Sequence, residues 1–98
     1  ENNNTSREFK LEQNYPNPFN PVTRIGFRIA NPGFVTLKVF DITGKQVAVL
    51  AEKDMQPGNY NFDFDGQSFG SGVYIYRLET AGSDGTSYTE SKKMILIK

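Results

Sequence analysis

The chain has 98 residues, eight of them Phe and five Tyr, so it is one domain with room for a single core and too aromatic to stay disordered. Eleven basic residues offset eleven acidic ones, leaving no long-range field to attract nucleic acid, anionic lipid or a charged substrate. With no His and no Cys, disulfides, imidazole or thiolate zinc sites and His- or Cys-based catalytic triads are all excluded.

The stretch Glu1 to Glu8 is polar and lacks the segments of a signal peptide. It reads as a linker from an upstream domain, with the folded module over residues 9–98. From there hydrophobic alternation of period two runs to the end, and no window has helical spacing. Phe9 and Leu11 alternate with Lys10 and Glu12 as a short first strand. That strand stops at Asn14 to Pro21, where Pro16, Pro18 and Pro21 cannot donate ladder hydrogen bonds and impose a rigid loop.

A second strand puts Ile25, Phe27 and Ile29 on one side, Arg24 and Arg28 on the other, and closes at Asn31-Pro32-Gly33. Val35, Leu37 and Val39 form a third inward row. Asp41 to Lys45 then reads as a tight hairpin turn with Gly44 in the left-handed region, and Val47 and Val49 continue the return arm. After the break Gln56-Pro57-Gly58-Asn59, the alternation of Tyr60, Phe62 and Phe64 with Asn61, Asp63 and Asp65 is the strongest strand signal. Val73 to Glu79 has few polar positions and predicts a central strand buried on both faces. Ala81 to Gly85 turns the chain into the last strand, Ser87 to Ile97. Seven strands separated by regular turn signals predict an all-β fold, an immunoglobulin-like β-sandwich of about seven antiparallel strands.

Few residues offer chemistry. Asp63 and Asp65 share a strand face as a glycosidase-like pair would, but the same spacing describes a solvated outer face. Asp63 to Gly66 fails the calcium-loop pattern, because Gly66 comes two positions early and Tyr74 stands where the closing glutamate belongs. An irregular calcium site would draw on Asp63, Asp65 or Asp84. A carbohydrate platform would need exposed aromatic rings, for which the loop residues Tyr15, Phe19 and Phe69 qualify, whereas Phe27, Phe62, Phe64, Tyr74 and Tyr76 belong to the core. The apolar runs Val47 to Ala51 and Met94 to Ile97 are far short of the ~20 residues that span a bilayer. No catalytic, cofactor or metal residues are assigned.

The segment Lys92-Lys93-Met94-Ile95-Leu96-Ile97-Lys98 is an apolar run bracketed by lysines. One reading is a last strand buried on both faces and guarded by charge. The other is a strand that a second protein recognises by main-chain pairing, with specificity from alternate side chains.

Four motifs in register carry a resemblance: Leu11 to Pro21 (LEQNYPNPFNP), Val39 to Val47 (VFDITGKQV), Ser71 to Leu78 (SGVYIYRL) and Lys92 to Lys98 (KKMILIK). Together they resemble the type A C-terminal sorting domains of the type IX (Por) secretion system, over residues 9–98. Phe40 departs from the tyrosine more common in that family. The resemblance implies a non-catalytic module behind a secreted cargo domain, in proteins of Bacteroidetes-type bacteria that are secreted or held at the cell surface by way of the periplasm. It implies an outer-membrane translocon and a sortase-like peptidase as partners, Lys92, Lys93, Met94, Ile95, Leu96, Ile97 and Lys98 as the recognised signal, and cleavage in the linker before Phe9. The hairpin is also similar to that of flagellar hook-capping immunoglobulin-like domains. Two other functions suit a sandwich of this size, a carbohydrate-binding module and a spacer of a polysaccharide-degrading enzyme.

Overall fold

The two-residue period of the sequence becomes two sheets, each with one face turned into a shared core. The structure is a computed structural model and describes residues 8–98. Most of the expected linker, residues 1–7, therefore lies outside the described residues, and Glu8 is exposed. The strands are β1 (Lys10–Leu11), β2 (Val22–Ile29), β3 (Gly33–Asp41), β4 (Gln46–Met55), β5 (Gly58–Asp65), β6 (Gly72–Gly82) and β7 (Ser87–Leu96).

One sheet has the order β1-β2-β5 and the other β4-β3-β6-β7, with every strand pair antiparallel. β2 pairs with β5 from Val22↔Asp65 to Ile29↔Gly58, and β3 pairs with β6 from Gly33↔Gly82 to Asp41↔Tyr74. Partners three strands apart in sequence require connections that cross between the sheets, which is the immunoglobulin-like sandwich. Ile25, Phe27 and Ile29 of one sheet bury against Val35, Leu37, Val39, Tyr76 and Leu78 of the other. Each such side chain contributes about 1.5–3 kcal/mol by leaving water.

The β3–β4 hairpin forms as expected. Gly44 has φ +92°, its N–H donates to the Asp41 carbonyl (2.9 Å), and Asp41 Oδ1 accepts from the backbone N–H groups of Thr43 (2.9 Å) and Lys45 (3.0 Å). At the other hairpin Asp84 Oδ1 does the same for Thr86 N–H (3.0 Å) and Oγ1 (2.7 Å).

Three expectations need correction. Along β4 the register against β3 shifts twice, between Leu37 and Lys38 and between Val39 and Phe40, so burial falls on Ala51 and Met55 while Val49 is exposed. β6 is central in its sheet, yet only its inner residues Tyr74, Tyr76, Leu78 and Thr80 are buried; Val73, Ile75 and Arg77 are half-buried, since no third layer among the described residues covers that face. β7 is an edge strand, with Met94 and Leu96 sealed in the core but Ile95 41% and Ile97 50% exposed. The reading of the last strand as buried on both faces is therefore wrong.

Candidate functional site

The loop between β1 and β2 is fastened into the core by polar groups that the sequence does not pair. Tyr76 is fully buried, and its hydroxyl donates to the Glu12 carbonyl (2.7 Å) and accepts from Asn14 N–H (2.8 Å). Burial, its dominant influence, pushes this phenol up to about 12. Asn14 Nδ2 donates to Thr23 Oγ1 (2.9 Å) and to the Pro16 carbonyl (3.1 Å), and Thr23 Oγ1 donates to the same carbonyl (2.8 Å). Buried and part-buried backbone groups in and before the proline-rich loop are satisfied in this way.

Further along, Phe19 is only 1% exposed, and its ring packs edge-on against Phe64 at 5.9 Å. Phe64 stacks on Phe69 at 5.6 Å, so these rings plug the end of the sandwich. Gly66 permits the plug: a Cβ there would stand 2.9 Å from Leu96 Cδ2 and 3.3 Å from the Phe19 ring.

With its side chain in the core, Phe19 pairs in parallel with β7. Its N–H donates to the Ile95 carbonyl (2.9 Å) and its carbonyl accepts from Ile97 N–H (2.9 Å). Asn17 Oδ1 accepts from Ile95 N–H (3.0 Å), and Gln13 Nε2 donates to the Lys93 carbonyl (2.8 Å). The Lys93 carbonyl, both backbone groups of Ile95 and the N–H of Ile97, which an edge strand would leave open, are thus occupied by the chain's own loop. Lys98 is held as well, its N–H by Ser71 Oγ (3.0 Å) and its ammonium by the Gln67 carbonyl. Nearer its start, β7 is covered by the stacking of Tyr88 on Phe9 (5.1 Å) and by the Tyr88 hydroxyl donating to Glu90.

What stays open is a face. In the β6–β7 register Val73 lies opposite Ile95 and Ile75 opposite Lys93, all on the outer side of the four-stranded sheet. Val73, Ile75 and Ile95 floor a groove of about 660 Å³, rimmed by Gln13, Asn17 and Lys93. No carboxylate lines it among the described residues. Beside it the Arg77 guanidinium lies 4.4 Å over the Phe40 ring and Arg77 Nε is 3.3 Å from Glu79 Oε2, so that charge is already engaged. Lys92 pairs with Glu90 at 3.5 Å, whereas Lys93 has no ion-pair partner among the described residues.

The expected signal residues therefore separate by burial. Met94 and Leu96 hold the fold, Lys93, Ile95, Ile97 and Lys98 face solvent, and Lys92 is half-buried and paired with Glu90. The structure adds Gln13, Asn17, Phe19, Val73 and Ile75, which the sequence did not join to that segment. Asp63 and Asp65 point outward from β5, and Asp63 sits 3.4 Å from Arg24 across the strand pair. No group of three or more metal-ligating side chains occurs among the described residues. Of the loop rings proposed for a carbohydrate platform, Phe19 is buried and Phe69 half-buried, leaving Tyr15 at 81% exposure without a neighbouring ring in the described residues. The planar row that such a platform needs is not formed there.

The geometry has counterparts among known proteins. A family model described as a secretion system C-terminal sorting domain matches residues 13–97. No curated protein matches the chain. Among solved structures, it is similar to dimeric latent PorU from Porphyromonas gingivalis, with TM-score 0.63 and 21% identity over 87% of this chain. The chain spans 9% of that protein's length. It is also similar to CopC from Methylosinus trichosporium OB3b, with TM-score 0.56 and 17% identity over 91% of this chain and 93% of the other. At these identities the two likenesses speak for the fold alone.

Proposed function

The chain belongs to the secretion-system C-terminal sorting domains, and from that premise we propose that it directs a longer parent protein through an outer-membrane translocon of the type IX system, with residues 92–98 as the recognised signal. A sorting module acts by being bound, so its requirements are an ordered surface and accessible specificity residues rather than a reactive group. The observation that carries the assignment of the signal is the state of the segment that ends β7, whose backbone is tied down at Lys93, Ile95, Ile97 and Lys98 while the Ile95 and Ile97 side chains remain in solvent beside Lys93 and Lys98. Exposed aliphatic side chains on an ordered edge are a liability unless a partner uses them.

The module spans residues 9–98 and follows a cargo domain, from which a sortase-like peptidase releases it by cutting ahead of Phe9. The cargo ends up secreted or on the cell surface. Removing Met94 to Lys98 from the full parent protein leaves the cargo in the periplasm, measured by cell fractionation. Secretion of that truncated protein at the level of the intact one refutes the assignment.

A further inference from the structure

We infer that the partner reads this signal through a composite groove on the outer face of the four-stranded sheet, with an acidic segment that carries an apolar anchor, and not by adding a strand to the edge of β7. The inference rests on the proposed sorting role and names the surface and partner chemistry of that same site. Strand addition needs free N–H and C=O groups along an edge. At the end of β7 and just past it, the Lys93 carbonyl, both backbone groups of Ile95 and the Ile97 N–H are bonded to Gln13, Asn17 and Phe19, and Phe19 cannot leave without emptying the aromatic plug against Phe64.

The face beside that edge has the opposite character. Val73, Ile75 and Ile95 come from two strands and form one accessible apolar floor, and about 660 Å³ is the size of a groove that takes side chains of a partner. Its one unengaged charge is the Lys93 ammonium, with no carboxylate on the lining among the described residues. Opposite charge on the partner fixes register and suppresses wrong partners, so the occupant is acidic next to its apolar anchor. Two of the floor residues lie outside the last strand, which makes the signal non-contiguous.

The test uses a reporter protein carrying the 98-residue chain at its C-terminus, expressed in a host with a working type IX system. Ile75→Glu and Lys93→Glu each lower the exported reporter about tenfold or more, Lys93→Arg keeps export, and Ile42→Glu on the exposed β3–β4 turn changes nothing. Thermal unfolding of each purified chain separates loss of recognition from loss of fold, and Val73→Glu replaces Ile75→Glu if that variant fails to fold. Export of Ile75→Glu and Lys93→Glu at the unaltered level, in a host where the Met94 to Lys98 truncation blocks export, overturns the groove and leaves the sorting role standing. Free export of the truncation as well overturns both.

Discussion

At the scale of single residues, Tyr76 has the largest structural consequence for its size. A phenylalanine would fill the same core volume, so the hydroxyl is there for the two backbone groups it satisfies, Glu12 C=O and Asn14 N–H. Those groups belong to the segment that leads into the proline loop, and the loop in turn occupies the edge of β7. Tyr76→Phe leaves the buried Asn14 N–H and the part-buried Glu12 carbonyl without this partner and costs about 1–3 kcal/mol. The measurement is urea unfolding of the isolated chain, with a lower midpoint at unchanged slope. A midpoint equal to that of the unaltered chain would show that the loop does not need this hydroxyl. Thr80 makes the contrary case: its Oγ1 is buried on the inner face with no hydrogen-bond partner among the described residues, and nothing in the structure explains why it is not valine.

Among the elements, the two β-hairpins of the four-stranded sheet are held by carboxylates. Hydrogen bonds from Thr43 and Lys45 hold Asp41 below the ordinary value of 3.8, and bonds from Thr86 do the same for Asp84. On β7, the Tyr88 hydroxyl and then Lys92 hold Glu90 below 4.5. A group whose pKa falls on folding contributes stability above its unfolded value and loses it as pH drops through the folded one. With no His in the chain, little else titrates near neutrality. The thermal midpoint is therefore flat above about pH 5 and declines below about pH 4, and the double variant Asp41→Asn, Asp84→Asn flattens that decline. An acid limb of the same depth in the double variant would place the titrating groups elsewhere. Both hairpins were legible in the sequence because their signals are local: Asp41 and Gly44 lie three residues apart, and Asp84 and Gly85 are adjacent. The bulges of β4 were not, since Val47 and Val49 keep strict alternation in sequence while the register against β3 shifts around them.

For the whole molecule, period-two alternation is enough to fold two sheets on one core, and the inward rows of β2, β3 and β5 follow it residue by residue. It cannot say which strand is an edge or what covers it. Gln13 and Lys93 are 80 positions apart and Asn17 and Ile95 are 78 apart, and they meet through side-chain to backbone bonds that leave no periodic trace. The motif around the prolines and the motif of the last strand were each recognisable in the sequence; that they form one surface is a property of the fold. Phe19 shows why, because a loop phenylalanine reads as exposed until the end of the sandwich is seen to need a plug. The result is a domain whose last strand is fastened near its end and open on one face, and the sorting role rests on that module being sufficient by itself. The most direct measurement is to attach all 98 residues to a reporter that is otherwise retained in the periplasm of a type IX-competent host and to assay the culture medium and cell surface. Appearance of the reporter outside the cell is the predicted result, and its continued retention with the domain attached and folded would contradict the account.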